Sequence, residues 1–259
     1  MGGMGLPGLS LFLALVIAAC VCVAIGAVWL ASRTIFQSGT AKEQSGSVSP
    51  FLTTVALMYG ALLGFTVVVA WEQFSSAEAN VSNESSTLAT MYRQTVALPA
   101  PEQTRMRELL RDYTAAVRAE WGRQGSDTAS AAITDMYRAL GKQQSPTDDS
   151  SAIKAEVRDQ LNVLTSQRNT RVLDAKPRIP GLLWGGLLFG GVLLIALVGF
   201  IRLENMRVHM MLASAIAILL GLLLFITFWL DHPSGRHLGV TPTYFDYTVR
   251  VFDGVDEGT

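Results

Sequence analysis

Histidine and cysteine are scarce in this chain, at three and two of 259 residues. His209, His232 and His237 show no ligand spacing, and no cysteine pair has zinc spacing, so neither a metal nor a cofactor is expected. Cys20 and Cys22 both fall inside one apolar run. Two positions apart on a helix, they point in different directions and cannot bridge each other. They therefore say nothing of an oxidising compartment. Catalytic signatures are missing as well: no phosphate-binding Gly loop with Lys-Ser/Thr, no nucleophile elbow and no His-Glu-x-x-His. An enzyme is not expected. No basic block exists and the formal net charge is −1, which sets nucleic acid aside as a partner. The chain shows no internal repeat and no βαβ pattern.

Charge of either sign is also sparse, 16% of residues against 50% hydrophobic, and it is segregated. Almost none falls in residues 5–31, 51–71, 181–201 or 208–230. Each run is long enough to cross a hydrocarbon core of ~30 Å. In lipid only helices and closed barrels satisfy every backbone group, so the four runs are read as membrane-spanning helices. Ile17-Ala18-Ala19-Cys20 looks like a lipoprotein cleavage box, but no Lys or Arg precedes it and the apolar run continues to Leu30. A span is the better reading. No charge lies deep inside a span, which weighs against an ion-coupled transporter built on intramembrane carboxylates.

Proline and glycine punctuate the rest. Residues 1–50 are read as the first span and a short polar loop, with Ser49-Pro50 opening the next helix. Residues 51–71 are the second span. No Pro or Gly follows until Pro99, so this span is expected to run on as one long helix into a soluble domain, residues 72–179. That domain predicts helices over Glu102–Trp121, Ala129–Leu140 and Ser151–Leu173, separated by turns at Gly122–Ser126 and Ser145–Asp149. The first carries Met106, Leu109, Leu110, Tyr113 and Val117 on one stripe. Residues 180–230 form a transmembrane hairpin, and residues 231–259 an extended tail with partial alternation from Val240 to Phe252. The fold class is an all-α membrane protein: four transmembrane helices with a soluble antiparallel helical domain between the second and third spans. Basic residues near span ends number more on the domain side (Arg168, Arg171, Lys176, Arg178, Arg236 and Arg250) than on the other (Arg33, Lys42, Arg202 and Arg207). That count favours a multi-pass membrane protein with a cytoplasmic domain, whereas the first span alone, basic only at Arg33 on its C-terminal flank, argues the other way.

Several features bear on function. Small residues recur at four-residue spacing: Gly60 and Gly64; Gly181 and Gly185; Gly186 and Gly190; Ala213, Ala217 and Gly221. Such ridges let helices approach closely, within one chain or between subunits. At about 100° per residue, Thr54, Met58, Phe65, Val68 and Glu72 share a face of the long helix, continued by Ser76, Asn83, Thr87 and Thr90. Around an axis of several copies, Met58, Phe65 and Val68 make an apolar neck that gates by dewetting, and Glu72 makes a carboxylate ring opening on a vestibule of Ser76, Asn83 and Thr87. The alternative is a face turned to lipid and water. Glu84 sits among the apolar positions Ala77, Val81, Leu88 and Met91, so an ion pair is expected, with Arg93, Arg111, Arg118, Arg168 and Arg171 in reach. Asp231 ends the last span, where a negative charge needs a partner such as Arg236 or a neighbouring-loop arginine. The tail acids Asp253, Asp256 and Glu257 match no calcium loop and read as a solvated end.

Particular segments carry a family likeness. They are Gly60-Ala61-Leu62-Leu63-Gly64-Phe65, Glu84-Ser85-Ser86-Thr87-Leu88-Ala89-Thr90-Met91-Tyr92-Arg93, Leu98-Pro99, Leu110-Arg111-Asp112-Tyr113, Glu120-Trp121, Ile179-Pro180-Gly181-Leu182-Leu183-Trp184, Glu204-Asn205 and Leu230-Asp231-His232-Pro233. With these the chain resembles the bestrophin-like family of bacterial membrane proteins of unknown function, over most of residues 55–245. Ser85 departs from a usual Ala and Ser234 from a usual Phe. In layout the chain is similar to the bestrophin ion channels, pentamers whose second span forms a pore with an apolar neck. Their paired tryptophans after the neck are missing; only Trp71 stands nearby. The resemblance implies a homo-oligomer in the bilayer, five copies by analogy, passing inorganic ions along an axis lined by the second helix. A non-conducting scaffold or sensor, whose helical domain binds a cytosolic partner, is the alternative.

Overall fold

A computed structural model of the chain describes residues 6–34, 41–121, 127–141, 151–200, 205–232 and 239–258. The turns expected at Gly122–Ser126 and Ser145–Asp149, the loop residue Glu204 and the candidate partner Arg236 lie outside them. The described residues form eight α-helices: α1 (Leu6–Thr34), α2 (Ala41–Gln94), α3 (Ala100–Glu120), α4 (Asp127–Gly141), α5 (Ser151–Asp174), α6 (Gly181–Phe200), α7 (Met206–Leu230) and α8 (Thr243–Glu257). A short 3-10 turn, Thr95–Ala97, follows α2. No strand occurs among the described residues. Four stretches are long and apolar enough to cross a membrane: Ser10–Leu30, Pro50–Ala97, Gly181–Gly199 and Met206–Leu230. The chain divides into two compact units, one of Met4–Gln73 with Arg178–Asp231, the other of Phe74–Pro177 with His232–Thr259.

The expectation of one long second helix holds, and α2 exceeds it. Its 54 residues correspond to about 80 Å at 1.5 Å per residue. It opens at Ala41, and Pro50 lies inside it. The polar loop expected between the first span and Pro50 therefore gives way to helix from Ala41 onward. Proline removes one N–H bond and bends a helix, but Ala, Lys, Glu and Gln before it are good helix formers and the helix bridges it. The helix ends at Gln94, and after the 3-10 turn Leu98 is extended (φ −83°, ψ 151°), as the residue before a proline prefers.

In the unit built on Arg178–Asp231, α1 packs on α6 and α7. Ala24, Val28, Ile195, Val198, Ala213 and Ala217 fill that junction. Glycine sets the spacing: a Cβ on Gly199 would stand 3.1 Å from the Ala27 carbonyl carbon, and one on Gly221 would stand 3.3 Å from Cys20 Sγ. A second cluster joins Tyr59 and Leu63 of α2 to Leu187, Leu194, Leu220 and Leu224. Tyr59 lies on the glycine surface of α6 and donates its hydroxyl to the Leu187 carbonyl at 3.0 Å. Large side chains such as Leu182, Phe189 and Met211 point outward, as expected where lipid replaces water.

The other unit has an ordinary apolar core. Leu88, Met91 and Tyr92 of α2 meet Met106, Leu110 and Tyr113 of α3, Met136 of α4 and Leu161 and Leu164 of α5. Each such side chain contributes about 1.5–3 kcal/mol by leaving water. Phe245 and Phe252 complete it, and they come from a helix. The tail is thus helical over Thr243–Glu257, against the extended segment expected. Aromatic and β-branched residues suggested alternation, but the buried set Phe245, Thr248 and Phe252 has helical spacing.

Candidate functional site

Three constellations stand out. The first is the free face of α2. In the unit built on Arg178–Asp231, Thr54, Met58, Phe65, Val68 and Glu72 are all exposed, Phe65 by 74%, while Tyr59, Leu63, Thr66 and Ala70 are buried. In the other unit Ser76, Asn83, Ser86 and Thr90 are exposed, and Ala77, Val81, Glu84, Leu88 and Met91 face the core. Thr87 departs from the expected stripe. It is only 9% exposed, because it lies at the margin of the face beside Leu88 and Met91. The free face changes character along the helix, apolar through Val69 and then small and polar from Glu72. Gly60 and Gly64 are open too, with nothing near an added Cβ.

The second constellation surrounds Glu84, which is fully buried. Arg171 of α5 places its Nε 2.7 Å from one carboxylate oxygen, and the Tyr113 hydroxyl of α3 donates to the other at 2.5 Å. The same guanidinium reaches Glu120 at 3.5 Å and lies 5.5 Å above the Trp121 ring. One arginine therefore serves two buried acidic side chains. Burial, followed by the neighbouring Glu84 charge, holds the Tyr113 hydroxyl well above the usual tyrosine range. Of the five arginines the sequence offers, the fold selects Arg171.

Asp231 makes the third. Its Oδ1 accepts from the backbone N–H of Arg178 and Ile179 at 3.0 and 2.9 Å, and its Oδ2 from the Trp184 indole at 3.1 Å. All three of these donors are neutral N–H groups, and the candidate partner Arg236 lies outside the described residues. The two backbone groups precede the N-terminus of α6, where no helical carbonyl can receive them. The positive end of that helix also offsets the unfavourable place of Asp231 at the α7 C-terminus.

Of the three tail acids read as a solvated end, Asp253 and Asp256 are drawn into pairing, while Glu257 is exposed. Asp256 binds Arg107 at 2.9 Å, Arg111 at 2.7 Å and the Tyr92 hydroxyl at 2.6 Å, and Asp253 binds Arg111 at 2.9 Å. Tyr92 stacks on Phe252 at 4.0 Å. Burial raises the Asp256 pKa, but the Tyr92 hydrogen bond and both arginines outweigh it and hold the group below its ordinary value. A carboxyl with a depressed folded pKa adds stability above its unfolded value, and that stability is lost as pH falls through the folded one. Asp256→Asn is therefore expected to loosen α8 at neutral pH by about 1 kcal/mol or less, because the pair is partly exposed. Amide hydrogen exchange in α8 checks this; the difference from the parent should shrink as pH falls below the ordinary carboxylate range. The sequence signal that would have found the pairing is the helical spacing of Asp246, Asp253 and Asp256 beside Arg107, Arg111 and Arg118.

Among the described residues no group of three His, Cys, Asp or Glu side chains could hold a metal ion. Four apolar spans and a second unit that is helical throughout its described residues define a multi-pass, all-helical membrane protein. The chain belongs to the bestrophin-like family: the family model described as a Bestrophin-like domain matches residues 8–245. Its fold is that of solved bacterial bestrophin homologues from Klebsiella pneumoniae. One variant structure aligns at TM-score 0.73 with 14% identity over 98% of this chain and 99% of that one. Another aligns at TM-score 0.72 with 14% identity over 94% and 98%. No curated protein sequence matches the chain significantly.

Proposed function

We propose that this protein is a homo-oligomeric channel-like membrane protein that passes inorganic ions along an axis lined by α2. The free face of α2 carries this reading. A helix surface set only in water usually mixes charged and polar residues, whereas the strip of α2 within about 40° of Glu72 shows Ser76, Ala79, Asn83, Ser86 and Thr90, with the exposed Glu78 and Arg93 outside it. An uncharged, small-residue face suits identical helices gathered around a hydrated axis. Met58, Phe65 and Val68 form the neck, whose apolar ring gates by dewetting. Glu72 sets a carboxylate ring that favours cations, and Ser76 and Asn83 line the vestibule. Family membership supports a channel, with five copies as the number and a cytoplasmic helical unit at the inner membrane. No reaction is assigned to the chain.

Planar-bilayer recording of purified protein tests the reading. Phe65→Ala is expected to raise unitary conductance, and Glu72→Gln to lower the preference for cations over anions. Absence of current, or currents indifferent to both changes, overturns conduction and leaves the scaffold or sensor role.

A further inference from the structure

Two sides of α3 do different things. Arg107, Arg111 and Arg118 lie within about 40° of one another around the helix and are ion-paired to acids of α8. Turned by about 120° is a second side, carrying Asp112, Ala116 and Ala119. With Ala131, Ala132 and Asp135 of α4 it lines an open groove of about 490 Å³. Alanine on both walls leaves room for a large side chain. Asp135 is tied to Arg138 at 2.8 Å. Asp112 is exposed and has no ion-pair or hydrogen-bond partner among the described residues.

The outer side of α8 is shaped to fill such a groove. Tyr247, Arg250 and Gly254 follow at spacings of three and four, opposite the buried Phe245, Thr248 and Phe252. Tyr247 is 57% exposed, and the Arg250 guanidinium stands 5.9 Å from its ring centroid. Among the described residues Arg250 has no carboxylate partner. Tyrosine and arginine, with tryptophan, are enriched among the side chains that anchor protein interfaces. An unpaired cation beside an aromatic anchor thus complements an unpaired carboxylate beside an alanine groove.

We propose that Tyr247 and Arg250 of one copy seat in the α3–α4 groove of a second copy, with Arg250 against Asp112. The proposal rests on the oligomeric reading above and names its contact. Groove and anchor occupy different sides of the same helical unit, so the contact is heterologous, and repeated copies close into a ring. For the same reason one chain cannot join its own two sides.

The test uses full-length protein in detergent with Cys20→Ala and Cys22→Ala. Asp112→Cys and Arg250→Cys are introduced singly and together, and treated with a short bifunctional maleimide. The double variant is expected to give a ladder of covalent multimers ending at the ring size, and each single variant nothing beyond a dimer. Independently, Asp112→Arg and Arg250→Asp each reduce the oligomer seen by native mass spectrometry, and their combination restores it. An intact oligomer with no ladder and no response to charge reversal overturns this interface while leaving the channel reading in place. A parent protein that is monomeric by mass overturns both.

Discussion

Arg171→Ala is expected to destabilise the unit built on Phe74–Pro177 by about 3–5 kcal/mol, the cost of removing one partner from a buried ion pair. The geometry puts this site at the severe end. Glu84 is fully buried and Glu120 is 4% exposed, and both rely on the same guanidinium. Alanine removes the shared cation and its packing on Trp121 at once. Arg171→Lys should fall between, since an ammonium keeps the charge but not the planar fork that reaches two acids. Glu84→Gln should cost less than Arg171→Ala, because its amide oxygen still accepts from Tyr113. Thermal unfolding in detergent, with hydrogen exchange in α3 and α5 as a local readout, separates the three. Equal losses for all would argue that Arg171 matters only as filler. The site also gives an alkaline signature. Tyr113 has a raised folded pKa, so its contribution is whole below the unfolded value of about 10 and is lost as pH rises through the folded one. Tyr113→Phe should remove that part of the alkaline loss while lowering stability at neutral pH.

Gly190→Val is expected to prevent the membrane unit from packing. A Cβ at Gly190 stands 2.6 Å from Tyr59 Cδ2 and 2.8 Å from Cε2. These are ring atoms held by the hydrogen bond to the Leu187 carbonyl, so the aromatic cannot swing aside cheaply. Even alanine overpacks the site, at a cost of about 1–3 kcal/mol, and the extra methyls of valine add to it. Gly185→Ala is the matched control, because nothing lies within 4 Å of a Cβ there. Tyr59→Ala combined with Gly190→Ala should be milder than the sum of the two, as expected for neighbours sharing one space. The yield of folded, monodisperse protein and its apparent Tm give the readout. If Gly190→Val behaves like Gly185→Ala, the Tyr59 contact is wrong.

How much of this could be read from the chain follows from the range of the forces involved. The spans were legible because bilayer thickness imposes a run length that any window detects. The α3 stripe from Met106 to Val117 was legible because one periodicity repeats without interruption. Glu84 announced itself as a charge on an apolar face. Its partner did not, since five arginines were equivalent in sequence and only packing of α5 against α2 and α3 distinguishes Arg171. The N–H donors to Asp231 were invisible for the same reason: backbone groups carry no residue letter. The last helix misled because Tyr, Val and Phe favour strands locally, while Phe245, Thr248 and Phe252 obey the helical period that burial demanded. The start of α2 was missed because Pro50 was given the power to begin a helix when it only interrupts one bond within it.

The last helix carries a consequence for how the molecule is made. Phe245 and Phe252 are fully buried among side chains encoded some 150 residues earlier, such as Tyr92. Translation delivers Phe74–Pro177 first, then two apolar segments destined for the bilayer, and α8 only after them. That core must therefore wait, incomplete, until both later segments have been handed to the insertion machinery and α8 has followed them. A stop codon near Pro242 would leave two aromatic sockets empty, and quality-control proteases would meet an unfinished domain already anchored in lipid.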